Sequence, residues 1–243
     1  MLKQMIRKLA SNGYRKLYGE LMSRGYFRDL WYPQYQFLFS PRQLCFLVEC
    51  INRTSNVDGA IVEIGCLHGL TTTFLYEYMI DSGISKKYMC IDTFCGFTQD
   101  DILFEQNVRG KKHPYKVKLF TNNKIEWFKD SLRQRHITEI EVIEGDICAL
   151  DVARLPKKVA FCLLDVDLYR PVKFGLEKVF PLLSPGGIIV VDDCWTKPSS
   201  IGEEYDGAMQ AYREFTAEHL LPENFVETKL GIVENPVTRG HTT

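Results

Sequence analysis

The 243-residue sequence predicts an α/β fold: a doubly wound, mostly parallel sheet of seven strands behind an N-terminal helical extension. Three observations carry that expectation. From Asp58 onward, short apolar runs that end in glycine or an acid alternate with longer stretches of helical period, the rhythm of βαβ units. The runs VAFCLL and GIIVV are apolar throughout rather than alternating, as strands covered on both faces are. The first run leads through a glycine turn, "EIGCLHG", into a helix, and such sheets bind ligands at the carboxyl ends of their strands.

The elements follow in order. Residues 1–55 read as the helical extension and 56–243 as the main domain. The first 30 residues hold seven Lys/Arg against two acids, with Leu2, Met5, Ile6, Leu9, Leu17 and Leu21 at helical spacing. That pattern predicts an amphipathic helix packed on the body, as a lid, or on a second copy of the chain; the expected assembly is a homo-oligomer, most simply a dimer. Contact with a membrane surface or an acidic substrate is the alternative. In "SPRQLCFLVECINRT", Ser40 suits an N-cap and Pro41 the first helical turn. "GAIVEIG" is the first strand, and "GLTTTFLYEYMIDSG" is a helix stopping at Gly83. "KKYMCID" is the second strand. Thr93 to about Lys116 reads as a long polar loop, a substrate wall or lid. "NNKIEWFKDSLRQRH" is a helix capped by Asn122 or Asn123, "EIEVIEGD" a third strand and "KVAFCLLD" a fourth. "PVKFGLEKVFPLL" is a helix opened by Pro171, "GGIIVVDD" a fifth strand, "YDGAMQAYREFTAEHL" the last helix and "NFVETKLGIVEN" a terminal antiparallel hairpin.

Composition narrows the class without naming a partner. Hydrophobic residues make up 45% and charged residues 25%, with a formal charge of −1, so overall charge points to no nucleic acid. No apolar run reaches the roughly 20 residues of a bilayer span, and "MLKQMIRKLASNG" does not resemble a secretory signal. Eight cysteines, mostly inside apolar stretches and without a CxxC pair, fit reduced thiols in a cytoplasmic protein.

Acids stand at five strand ends. Glu63 precedes the turn Gly65-Cys66-Leu67-His68-Gly69, where Gly65 permits a tight turn and Gly69 opens a helix whose free N–H groups face a ligand. The spacing GxxxG departs from the dinucleotide pattern GxGxxG. Asp92, followed by Thr93, suits a ribose diol, and Asp146, after Gly145, suits an exocyclic amine such as adenine's. Each alone is more often a solvated strand end; together they point to a nucleoside ligand. Asp165 and Asp167 end the fourth strand, and Asp192 and Asp193 end the fifth. Neighbouring strands would crowd these carboxylates, raising their affinity for protons unless a divalent cation joined them, and oxygen ligands favour Mg²⁺ over zinc. The plainer alternative makes Asp192 or Asp193 a loop cap and Asp167 a turn residue.

The block "LLDVDLYRPVKFGLEKVFPLLSPGGIIVVDDCW" resembles the macrocin O-methyltransferase family (TylF and MycF type), metal-dependent class I, Rossmann-like enzymes that use S-adenosylmethionine. "VEIGCLHG", "CIDTFCGF" and "DGAMQAYREF" are similar to that family too, over about residues 61–215. The resemblance implies metal ligands at Asp165, Asp192 and Asp193. It implies cofactor contacts at Glu63, Gly65, Asp92 and Asp146, to which Cys66, His68, Gly69, Thr93, Gly145 and Asp165 are added as candidates. Two departures stand out: Val166 replaces the family's common glycine, and Leu168 stands where related catechol-type enzymes place a lysine base. The expected reaction is methyl transfer to a hydroxyl of a small molecule, first a sugar, second a phenol. Asp165 or Asp167 takes the proton, with His113 and His68 as weaker candidates. Phe97, Phe104 and Tyr115 either pack the acceptor or anchor the loop, and Trp195 faces either the acceptor or the core. The rivals are an NAD-type oxidoreductase, a non-catalytic cofactor-binding module and metal-independent methylation.

Overall fold

Seven strands form one sheet in the order β3-β2-β1-β4-β5-β7-β6. They are β1 (Ala60–Ile64), β2 (Tyr88–Asp92), β3 (Ile140–Glu144), β4 (Val159–Leu164), β5 (Leu183–Val191), β6 (Phe225–Val226) and β7 (Leu230–Glu234). The first five run parallel; β7 runs antiparallel to β5 and β6. The computed structural model describes residues 35–111, 120–121, 123–196 and 206–236. Of these, residues from Phe39 onward form one compact unit that includes the helix Pro41–Arg53, and residues 35–38 belong to another.

Apolar content explains which strands are central. Every residue of β1 and β4 is buried, as expected of strands covered on both faces. Their side chains Val62, Ile64, Cys162 and Leu164 share one core with Val172, Leu176, Tyr212 and Phe215. Those partners come from α5 (Tyr169–Val179) and α6 (Asp206–Glu218). The other helices are α1 (Pro41–Arg53), α2 (Leu70–Asp81), α3 (Gln99–Asn107) and α4 (Ile125–Gln134). None of the described helices is long and apolar enough to cross a membrane. All eight cysteines are free thiols.

Local chemistry accounts for most boundaries. Ser40 and Gln43 exchange side-chain and backbone hydrogen bonds in a capping box at the start of α1, with Pro41 in its first turn. Two expectations are corrected. The segment read as a loop contains α3: Thr98 caps it by accepting from Asp101 N, and Asp100 and Asp101 sit in the first turn, where the helix dipole favours acids. Asn123 does not cap the next helix, and Asn122 lies outside the described residues; α4 starts at Ile125, after Lys124, with no side-chain cap.

Backbone bonds extend the sheet past its strands and set the site level. Gly145 N donates to Asp92 O, Gly65 N to Ile91 O, Asp165 N to Ile64 O and Asp192 N to Leu164 O, all at 2.8–2.9 Å. Cys194 N donates to Lys229 O at 2.7 Å. The carboxyl ends of five strands, and the amino end of antiparallel β7, therefore meet along one edge.

Candidate active site

On the β1–β3 side of that edge, the acids are held by backbone donors. Asp92 Oδ2 accepts from Cys66 N and Leu67 N, both at 2.8 Å, and Oδ1 accepts from Phe94 N at 2.7 Å. The carboxylate thus pins the glycine turn to the loop after β2, and Asn123 Nδ2 stands 3.5 Å from Oδ1. Thr93 Oγ1 donates to Gly96 O and serves the same loop. Asp146 Oδ1 accepts from Cys148 N at 2.8 Å, closing the turn after Gly145.

Gly65 has φ +84°, and a Cβ there would lie 1.8 Å from the Asp165 carbonyl oxygen. Its glycine is required by the approach of the β1 and β4 ends, a tighter constraint than passage of a ligand. Gly69, at φ +78°, opens α2. Cys66 is buried. The His68 imidazole is exposed and packs against Trp127, with ring centroids 5.8 Å apart.

Glu63 corrects the sequence reading. The pleat of β1 turns it inward, where it is 1% exposed and accepts from the Tyr88 hydroxyl at 2.7 Å. Burial pushes its carboxyl up to about 7, against the downward pull of that hydroxyl. It is a partner for Tyr88, not an open contact for a cationic ligand.

On the β4–β5 side the acids face one another. Burial first, and then Asp192 and Asp167, raise the Asp165 carboxyl well above the ordinary range. Asp167 is raised in the same way by burial and by Asp193, with which it shares a hydrogen bond. Asp192 is pushed up to about 6 by burial, with Lys229 pulling it down. Asp167 and Asp193 both hold left-handed backbone, φ +58° and +57°, which aspartate tolerates better than most residues. Trp195 Nε1 donates to Asp193 Oδ1 at 3.0 Å, which fixes the half-buried indole beside the cluster.

Sequence reasoning misses Lys229. It stands just ahead of β7 and is 7% exposed; its Nζ lies 2.5 Å from Asp192 Oδ2 and 3.5 Å from Asp193 Oδ1. Burial alone would favour the neutral amine; Asp192, Asp193 and Asp165 outweigh it and hold the ammonium charged. The signal for it is the terminal hairpin: a strand returning antiparallel beside β5 brings the residue just ahead of it to the end of β5.

The donors suit a hard divalent cation in type and charge. They are all carboxylate oxygens, and Asp192 Oδ1, though buried, has no hydrogen-bond partner among the described residues. Their spacing corrects the expectation that they already converge. Among the described residues, the group of three potential ligand atoms within 4.8 Å of one another is Asp101, Asp146 and Cys148, not Asp165, Asp192 and Asp193. The former is a poor cation site. Arg170 Nη1 pairs with Asp101 at 3.1 Å, and burial raises the Cys148 thiol far above the thiolate range. His113 and Tyr115 lie outside the described residues. Phe104 stacks on Tyr169 with ring centroids 5.5 Å apart, and Phe97 meets Phe120 at 5.3 Å, so Phe104 anchors α3 to α5.

A seven-stranded sheet of this order, with a glycine turn after β1, is the class I methyltransferase fold. Residues 62–194 match the family described as "Methyltransferase domain", and the chain belongs to that family. No curated protein matches the sequence at significant similarity. Among solved structures, the O-methyltransferase NovP is similar at 14% identity and a TM-score of 0.68, over 84% of this chain and 83% of NovP. The calicheamicin methyltransferase CalS11 is similar at 19% identity and a TM-score of 0.62, over 80% of each chain. A putative caffeoyl-CoA O-methyltransferase from Staphylococcus aureus is similar at 15% identity and a TM-score of 0.54, over 85% of this chain and 87% of that one.

Proposed function

We propose that the chain transfers the methyl group of S-adenosylmethionine to a hydroxyl of a small molecule, with a sugar hydroxyl as the first acceptor class. The observation that carries the reading is the acid cluster of Asp165, Asp167, Asp192 and Asp193 beside the turn at Gly65. The bound cofactor supplies an electrophilic methyl on its sulfonium. The first turn of α2 offers it backbone N–H groups, while Asp92, by accepting from Cys66 N and Leu67 N, holds the preceding glycine turn in place. Asp146 and the turn to Cys148 are the proposed contacts of the adenine edge.

The acceptor hydroxyl must lose its proton as the new C–O bond forms. Asp167 or Asp165 would take it: without a cation, burial and crowding raise the proton affinity of both, and a cation on Asp165 would leave Asp167 as the acceptor. A divalent cation held by Asp165, Asp192 and Asp193 would supply positive charge that favours the deprotonated acceptor. Trp195 offers an apolar face next to the cluster. Holding both reactants at attack distance contributes much of the rate in such transfers.

The sugar class is supported by the likeness of "DVDLYRP" and "GGIIVVDDCW" to the macrocin O-methyltransferase family, and by CalS11, a TDP-rhamnose 3'-O-methyltransferase. A phenolic acceptor is the second reading, favoured by the Staphylococcus aureus neighbour. The test is transfer of labelled methyl from S-adenosylmethionine across sugar, nucleotide-sugar and phenolic acceptors, with and without Mg²⁺. Product from a sugar-bearing acceptor, reduced roughly 100-fold or more by Asp167→Asn with cofactor affinity unchanged, is the expected result. Cofactor binding with no transfer to any acceptor would favour a non-catalytic module.

A further inference from the structure

The acid cluster contains a cation of its own. Lys229 is almost fully buried, which is costly for an ammonium unless it is paired, and its pairing falls on Asp192 and Asp193. Its Nζ also lies 4.9 Å from the Phe39 ring centroid and 5.7 Å from that of Trp195, so two aromatic faces complete the enclosure. Among the described residues, no other lysine or arginine makes an ion pair with Asp165, Asp167, Asp192 or Asp193.

One ammonium faces four carboxyl groups and pairs with two of them, so acceptor oxygens remain in excess. Asp192 shows this directly: Oδ2 is taken by Lys229, whereas buried Oδ1 has no donor among the described residues. The carboxylates the family resemblance assigns to a divalent ion are therefore partly occupied, and they are not drawn round a common point.

We propose that Lys229 is the resident counter-ion of this cluster and a direct competitor of the divalent cation for Asp192 and Asp193, so that Lys229 sets how tightly the ion binds. The inference rests on the cation site of the proposed function. A fixed positive charge next to a divalent ion opposes its binding, and the ammonium must give up Asp192 Oδ2 before that oxygen can serve a second cation. Removing the charge frees both oxygens and lifts the repulsion together.

The probe is Mn²⁺ alone, titrated into the full-length protein by calorimetry and by water-proton relaxation. Lys229→Met and Lys229→Gln are each expected to tighten Mn²⁺ binding at least about 10-fold, equivalent to about 1.4 kcal/mol. Lys229→Arg keeps the charge and should stay near wild type. In chelator the two neutral variants should melt below wild type, because buried carboxylates lose their partner, and Mn²⁺ should raise their melting temperatures more than it raises that of wild type. Equal or weaker Mn²⁺ affinity in either neutral variant, or an arginine variant that behaves like them, would overturn the proposal. So would undetectable Mn²⁺ binding in all four proteins. S-adenosylmethionine binding, measured on the same samples, reports the methyltransferase reading separately. Its failure in wild type would undo that reading, while the Mn²⁺ comparison would still decide the role of Lys229.

Discussion

Aspartates at the two halves of the site edge do opposite work. At the ends of β2 and β3, Asp92 and Asp146 accept backbone N–H bonds and fix loops. At the ends of β4 and β5, Asp165, Asp167, Asp192 and Asp193 face each other and one lysine, and the proton affinities of Asp165, Asp167 and Asp192 rise. The same side chain is a brace where donors surround it and a group of raised proton affinity where they do not. The first half fixes loops, and the second crowds carboxyl groups round one ammonium.

The contrast can be broken most sharply at Gly65, where the halves touch. A Cβ would lie 1.8 Å from the Asp165 carbonyl oxygen, and φ is +84°. Gly65→Ala should therefore cost about 3 kcal/mol or more of stability, measured by denaturant unfolding, beyond any effect on cofactor entry. A loss under about 1 kcal/mol would mean that the strand ends part easily.

Glu63 tests whether an acid in the brace half can also be a liability. Its carboxyl is pushed up to about 7 from an ordinary 4.5. Between those values the native state holds a proton that the unfolded chain has released, so wild-type stability should fall as pH rises through that window. The full cost, about 3 kcal/mol, is present above pH 7. Glu63→Gln titrates no proton there. Its stability relative to wild type should rise by about that amount between pH 4.5 and 8. Parallel stability curves for the two proteins would show that Glu63 is not desolvated in solution.

A smaller effect separates the halves most cleanly. Asp92→Asn turns one acceptor oxygen into a donor facing backbone N–H, and should cost about 2 kcal/mol of stability and weaken S-adenosylmethionine binding. Asp165→Asn should cost nothing in the cation-free protein, because neutralising one crowded acid relieves its neighbours. Paired thermal melts decide it: equal losses from the two substitutions would erase the distinction.

Much of this is legible in local sequence. The runs AIVEI, VAFCLL and GIIVV specify buried strands by composition, and Ser40 with Pro41 and Gln43 specifies a helix start by hydrogen bonding within four residues. The helix Gln99–Asn107 is obscured because it is short, polar and without a strong apolar face, although Thr98 and Asp101 carry its cap. Sequence pattern puts Glu63 at the right strand end but not on the right face.

The sequence by itself determined the strands, the glycine turn and the row of acids, because each depends on neighbours a few residues away. Only the tertiary structure decided what each acid meets. Asp92 finds the N–H groups of residues 66 and 67, and Asp192 finds Lys229, 37 positions on. Those partners come together through the packing order of the strands. The electrostatic character of a carboxylate follows from the donors and charges within a few ångströms of it, whatever their distance along the chain.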